Sequence, residues 1–403
     1  MKVMDGSPIS SELEYMHNLR GLSPRDAMTV LGAYPTLQLL QAAEGASRSA
    51  RLGTRLAKRV EAILERSETL PAQWGVTVAR CAETGVRVVP LLSHQYPRLL
   101  RRIPDPPPLL FVRGSLEALG EPRAVAVVGT REPSERGREV AFKVAKHFAS
   151  CGFTIISGLA KGIDTSAHLG ALEAGGRTIA VLGTAADRIY PAVNAALAQC
   201  ILAQGGALVS EHAPGEHGGK AAFVRRDRIQ SGLSLGVVAV QTDVTGGTMH
   251  TVGFAEQHGR LLLAPRPGGA ESQIRQYAGI RELIESGRAR AFDATDYDGI
   301  THDLDALLGR LESTGSARTT PPSGDGSPPP AVQLALLPQM RTRVHKEPVL
   351  DDLVALCREC GLDQSGALFD EMMAGVRSAL FPGRAGAGAG AGKGPLEPRG
   401  HSG

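Results

Sequence analysis

Between residues 120 and 310, short apolar runs alternate with helix-length amphipathic stretches, and most of the runs end at glycine or a small polar residue. The runs are AVAVVGT (124–130), FTIISG (153–158), TIAVLG (178–183), ALVSE (207–211), GVVAVQ (236–241) and RLLLAP (260–265). Helical stretches fill the gaps, at about 134–151, 164–174, 194–204, 247–257 and 271–286. In the first, Ser134 stands as N-cap, Val140, Ala141, Val144, Ala145 and Phe148 share a face, and Gly152 closes it. Near-continuous apolar strands linked by crossover helices are buried on both faces. The pattern therefore predicts a doubly wound α/β fold with a mainly parallel sheet and right-handed connections. Aromatic residues make up only 4% of the chain, so the core must come from Val, Ile, Leu and Ala, which suits such a sheet.

The flanks differ in composition. Residues 1–70 read as a small N-terminal helical domain with helices at 11–19, 24–31, 37–43 and 54–65. Residues 71–119 read as a connector holding one strand, Val86–Pro90, and the run IPDPPPLLFVRG; the α/β domain is set at 120–312. The stretch 313–346 is rich in Ser, Gly and Pro at its start and reads as a disordered linker; 347–381 reads as a small helical segment and 382–403 as a disordered tail. The five cysteines are dispersed, which argues against a disulfide framework and for a reducing compartment. Neither a signal peptide nor an apolar span of membrane length is read, so a cytoplasmic protein with no membrane partner is expected. A net charge of +3 is too mild to argue for nucleic acid, so any polyanion surface must be local.

Ligands of doubly wound sheets lie beyond the carboxyl ends of the strands. The residues expected there are Gly129, Thr130 and Arg131 with Ser134; Gly158, Lys161 and Gly162; Phe223, Arg225, Arg226 and Arg228; and Gly246, Gly247 and Thr248. Glycine admits a phosphate to the backbone, helix starts offer free N–H groups, and Arg and Lys add charge. Phe223 and Tyr190 offer stacking faces for bases. Asp164, His168, Asp187, Tyr190, Asn194, Ser210 and Glu211 are read as residues that organise these loops. Taken singly, each has a plainer reading as a turn, a cap or a solvated charge. Their coincidence at one sheet edge is what predicts a groove for phosphates, most naturally those of single-stranded DNA.

Spacing excludes several alternatives. GxGxxG is absent after the first strand, and no GxxxxGK[ST] occurs, so neither a dinucleotide cofactor nor an ordinary P-loop is expected. Cys357 and Cys360 form a lone CxxC, too little for a zinc site. No catalytic residue, cofactor or metal is assigned.

The residues Gly129-Thr130-Arg131, SGLAKGID (157–164), GGRTIAVLG (175–183), Asp187 with Tyr190-Pro191 and Asn194, and RRDRIQSGLS (225–234) resemble the DprA/Smf DNA-processing proteins. Tyr96-Pro97-Arg98-Leu99-Leu100, DPPPLLFVRG and GIRELIESGRARAF (279–292) extend the resemblance over roughly 90–310. It implies a Rossmann-like domain that binds single-stranded DNA without sequence specificity, dimerises, and helps load a RecA-type recombinase in DNA uptake. DNA contacts would map to Gly129, Arg131, Lys161, Phe223, Arg225, Arg226 and Arg228. An N-terminal helical domain and a C-terminal winged helix often flank such a core. Residues 49–65 also weakly resemble half of a helix-hairpin-helix. This chain departs from the family pattern at Val224 (usually Pro), Asp227 (usually Asn) and the turn Gly246-Gly247-Thr248-Met249. The competing reading is a nucleotide-binding sensor or a nucleotide-processing enzyme of the Rossmann-like phosphoribohydrolase type. The glutamate of that group's G-G-x-G-T-x-x-E loop is missing, because Thr251 occupies its place.

Overall fold

The computed structural model describes residues 15, 19, 22–65 and 70–316. The expected linker, the helical segment 347–381 with Cys357 and Cys360, the tail and most of the helix expected at 11–19 lie outside them. An N-terminal helical body contains α1 (Pro24–Ala33), α2 (Leu37–Ala42), α3 (Gly45–Leu52), α4 (Thr54–Leu64) and α5 (Leu70–Thr84). It is followed by β1 (Val86–Pro90), α6 (Arg98–Arg101), β2 (Leu109–Gly114) and α7 (Leu116–Gly120). The alternating part runs β3 (Ala124–Val128), α8 (Glu135–Ser150), β4 (Thr154–Ser157), α9 (Ile163–Glu173), β5 (Thr178–Val181), α10 (Ala195–Ala203) and β6 (Ala207–Ser210). It continues with α11 (Lys220–Gly232), β7 (Gly236–Ala239), α12 (Thr248–Gln257), β8 (Leu261–Pro265), α13 (Ala278–Glu285), β9 (Arg290–Phe292) and α14 (Tyr297–Ser316).

Among the described residues, nine strands form one sheet in the order β1-β2-β6-β5-β4-β3-β7-β8-β9. Strands β3 to β9 pair in parallel, while β1–β2 and β2–β6 are antiparallel. The strand period of two divides each strand between two layers. Ala124, Ala126 and Val128 face a core shared with Ile229 of α11 and Leu233 just after it, Val252 and Ala255 of α12, and Ile280 and Leu283 of α13. Val125 and Val127 face Val144, Ala145 and Phe148 of α8, Ala167 and Ala171 of α9, and Ile300 and Leu304 of α14. Each fully buried Val, Leu, Ile or Phe contributes roughly 1.5–3 kcal/mol. The doubly wound architecture is therefore a consequence of apolar runs that must be covered on both sides.

Three features differ from the sequence expectation. The stretch read as a connector with one strand supplies two, β1 and β2, and both join the main sheet: β2 pairs antiparallel with β6, Phe111 with Ser210 and Val112 with Val209, and β1 pairs antiparallel with β2. The arginine run read as a loop before the fifth parallel strand is the helix α11. Its polar residues Arg226, Asp227, Arg228, Gln230 and Ser231 are buried, so it has no apolar stripe of helical period to betray it. The helix expected at 271–286 is shorter, with 3-10 turns at Ala270–Gln273 and Arg275–Tyr277 ahead of α13.

Candidate phosphate-binding cleft

Strand β3 lies between β4 and β7, so the chain reverses its direction of winding at the β3–β7 gap. The connections leaving β3 and β7 diverge there, which opens a crevice at the carboxyl ends of the strands. The loop after β3 is pinned to the strand β7 beside it. The Thr130 N–H donates to the Gln241 carbonyl (2.8 Å), and the Gln241 side chain joins Ser134 through both its oxygen (3.0 Å from the Ser134 N–H) and its nitrogen (2.9 Å from Oγ). Ser134 Oγ accepts from the Gly137 N–H (3.1 Å) and caps α8. Ser134 is thus a capping residue, with its hydroxyl engaged inside the protein.

The loop between β4 and α9 is organised by buried polar groups. Asp164 accepts from the N–H groups of Gly158 (3.1 Å) and Ala160 (3.3 Å). Burial pushes its carboxyl up, against the nearby Arg226 guanidinium and these donors. Asn194 makes no side-chain cap on α10; its amide donates to the Leu159 carbonyl (2.7 Å) and to Thr165 Oγ1 (3.1 Å). His168 is fully buried and pairs through Nδ1 with Thr178 Oγ1 (2.8 Å), and burial lowers its pKa to about 3, so it is neutral. Ser210 Oγ donates to the Thr184 carbonyl (2.7 Å), and Asp187 accepts from the Gly215 N–H (3.2 Å).

Three of the glycines expected to admit phosphate are required by close packing, whereas an added Cβ on Gly247 would meet nothing within 4 Å. A Cβ on Gly129 would lie 2.5 Å from Ile163, and one on Gly158 would lie 1.5 Å from Arg226 Nη1. Gly162 takes φ +81°, and its Cβ would meet the Thr130 carbonyl at 2.6 Å. The amides of Gly158 and Ala160 are spent on Asp164, so this loop presents a side chain, the exposed Lys161, rather than a nest of free donors.

The three arginines of α11 have three environments. Arg225 is exposed (56%) and lies 3.7 Å from Glu211. Arg226 is 8% exposed, with Nε 3.1 Å from Asp227 Oδ1 and Nη2 3.8 Å from Asp164 Oδ2. Gln230 completes this cluster, its amide oriented so that the oxygen faces the Gly158 N–H (2.9 Å) and Arg226 Nη1 (2.6 Å) while the nitrogen faces Asp227 Oδ1 (3.2 Å). Arg228 is 3% exposed, held by Glu211 (2.7 Å) and Asp105 (3.1 Å) and donating to the Arg225 carbonyl (2.9 Å). This corrects the expectation that Arg228 faces the groove: a helix turns its residues by about 100° each, and this position points away from the cleft into a carboxylate pair.

A cavity of about 390 Å³ fills the crevice. It gathers Gly129, Thr130, Arg131, Asp164, Phe223, Arg226, Gly246, Gly247 and Thr248 of the residues singled out from sequence. It does not take in Ser134, Gly158, Lys161, Gly162, Arg225 or Arg228. The Arg131 guanidinium sits 5.9 Å from the Phe223 ring centre, and the Tyr190 ring, 53% exposed, lies 5.5 Å from Phe223. Sequence reasoning missed Gln230 and Thr242 in the lining, and Gln241 behind it; Asp227 and Thr251, noted as departures from family patterns, also line it. Gln241 carried a usable signal: a polar residue closing the apolar run GVVAVQ at a strand end.

Fold and cleft together define a class, a doubly wound α/β protein with a cleft of mixed charge at the switch point of its sheet, where Arg131 and Phe223 meet Asp164, Asp227 and Arg226. The family model of DNA recombination-mediator protein A matches residues 87–305, from β1 into α14. The chain belongs to this family. It is 38% identical over 220 residues to the DNA processing protein DprA of Bacillus subtilis, covering 54% of this chain and 72% of that one. It is 40% identical over 197 residues to the DprA of Streptococcus pneumoniae, covering 49% and 68%. The X-ray structure of the Streptococcus pneumoniae DprA matches 74% of this chain and 97% of that one, with 30% identity and a TM-score of 0.59.

Proposed function

We propose that the cleft between β3 and β7 holds the backbone of single-stranded DNA without sequence preference and without chemical turnover. The observation that carries this is the placement of Arg131 over Phe223 at the cavity, with Tyr190 beside it: a cation and two aromatic faces meet where the sheet opens. The cation answers phosphate, and the rings stack on unpaired bases, whose faces a duplex conceals. Of the cations singled out from sequence, Arg131, Lys161 and Arg225 are exposed, and Arg226 reinforces the cavity from within. The family's description as a recombination mediator supports a RecA-type recombinase as protein partner; the resemblance of the loop motifs extends the reading to a homodimer that acts in the cytoplasm in recombination and DNA uptake.

The test is fluorescence anisotropy with oligo-dT over a salt series. Three exposed cations predict a log–log salt slope of about −2 per protomer, since each neutralised phosphate of a single strand contributes about −0.7. Duplex of the same length should bind more weakly. Salt-insensitive binding, or a preference for duplex, counts against the proposal. A second reading rests on the cavity volume, about 390 Å³, which lies in the range of small-molecule sites. It makes the protein a nucleotide-binding sensor or a nucleotide-processing enzyme. Isothermal titration with nucleoside monophosphates against oligo-dT separates the two.

A further inference from the structure

Asp227 stands where the resemblance leads one to expect a neutral amide, and it lines the cavity together with Arg226 and Arg131. We propose that Asp227 sets the affinity of this cleft for phosphate, because a backbone phosphate can enter only with a proton on its carboxyl group. The inference rests on the DNA-binding reading above. Its physical basis is a count of charge in a confined space. Arg226 brings one positive charge, shared between Asp227 Oδ1 at 3.1 Å from Nε and Asp164 Oδ2 at 3.8 Å from Nη2. With both carboxylates ionised the trio carries a net negative charge, and the guanidinium has little attraction left for an incoming anion. A proton on Asp227 makes the trio neutral. It also turns the carboxyl group from a pure acceptor into a donor.

The surroundings place that proton within reach of ordinary conditions. Asp227 is faced by Arg226 and Gln230 from its own helix, by Asp164 from α9 and by Arg131 from the loop after β3. Burial is the largest influence and drives the carboxyl up to about 7; Arg226 opposes the rise, Asp164 adds to it and Arg131 opposes it. A phosphate arriving beside this group raises it further, so binding and proton uptake are linked. Other acids at the cavity are Glu132 and Asp243, and Asp243 is already tied to Arg275 (2.5 Å). His250 lines the same cavity from α12 and must be separated experimentally. His168 stays neutral at these pH values.

The experiment measures anisotropy with oligo-dT lacking terminal phosphates, at constant ionic strength, between pH 6 and 8. Its phosphodiesters stay ionised throughout. A group titrating near 7 that must be protonated in the complex predicts a Kd about tenfold weaker at pH 8 than at pH 6. Asp227→Asn should be flat with pH and hold at pH 8 the tighter affinity that the unaltered protein shows at pH 6. His250→Gln should keep the slope. Titration calorimetry of the unaltered protein and of His250→Gln, in buffers of different ionisation enthalpy, gives a readout that does not depend on the folding of Asp227→Asn. It should show close to one proton taken up per site at pH 8 and close to none at pH 6. Binding that is salt-dependent but flat with pH overturns this inference alone, as does an unchanged slope in Asp227→Asn or a lack of proton uptake. Failure to bind at any pH removes the DNA-binding reading and this inference with it.

Discussion

Arg225 and Arg228 lie one helical turn apart and should fail in opposite ways when truncated. Arg228 is 3% exposed, and its guanidinium satisfies Glu211 at 2.7 Å and Asp105 at 3.1 Å. Arg228→Ala leaves Asp105 without its cation and Glu211 with only the more distant Arg225, 3.7 Å away. Breaking a buried pair from one side costs about 3–5 kcal/mol. The Asp105 side chain is 33% exposed, so water takes up part of its loss, and the expected cost falls at the lower end, about 3 kcal/mol. For a domain of this size that is a fall of roughly 6–12 °C in melting temperature. Arg225→Ala removes a side chain that is 56% exposed, so stability should change by less than about 0.5 kcal/mol while DNA affinity drops. Urea denaturation followed by circular dichroism measures the first effect, and anisotropy with oligo-dT the second. An Arg228→Ala protein with unaltered stability and lost DNA binding would refute the division of labour read from their burial.

Phe223→Ala should weaken oligo-dT binding by about 1–3 kcal/mol, the worth of one stacked base, with little change in the salt slope; an unchanged Kd would take Phe223 out of the interface. Gly158→Ala places a methyl group 1.5 Å from Arg226 Nη1 and should displace that guanidinium, lowering melting temperature and affinity together in one preparation. Gly170→Ala drives a Cβ to 2.2 Å from the Phe142 carbonyl between α8 and α9, and should cost about 1–3 kcal/mol in denaturant titrations without touching the cleft. His168 gives stability a pH dependence of defined sign. The unfolded imidazole, near 6.5, binds a proton that the folded one, lowered to about 3 by burial, refuses. Its contribution is therefore intact above pH 6.5 and is lost by up to ~1.4 kcal/mol per unit as the pH falls from there towards 3. Urea midpoints between pH 7 and 4 should fall accordingly in the native protein and less in His168→Gln.

The parallel strands β3 to β8 were legible because each falls in a short apolar run of the sequence, whereas β9 is only Arg290–Phe292 and has no such run. The antiparallel pairing of β2 with β6 was not, because nothing local marks which distant strand Leu109–Gly114 will join. Helix α11 escaped for a related reason: its buried face is polar and acquires meaning only from partners elsewhere. Arg228 finds Asp105 across 123 residues and Glu211 across 17, and no periodicity in RRDRIQ announces either. The cleft itself was half visible. Gly129-Thr130-Arg131 and Gly246-Gly247-Thr248 fall at the ends of β3 and β7, where the switch point opens. What the sequence did not show is the packing demand on the glycines: Gly129 and Gly158 make room for Ile163 and Arg226.

The central claim is that unpaired DNA lies in the β3–β7 cleft against Phe223 and Tyr190. The most direct measurement is photo-crosslinking of an oligonucleotide carrying iodouracil, followed by mass spectrometry of the adducted peptides. Adducts on the segments bearing Tyr190 and Phe223, competed away by unlabelled oligo-dT, are the predicted result. Adducts confined to the N-terminal helical body or to residues beyond 316, with the cleft peptides unmodified, would contradict it.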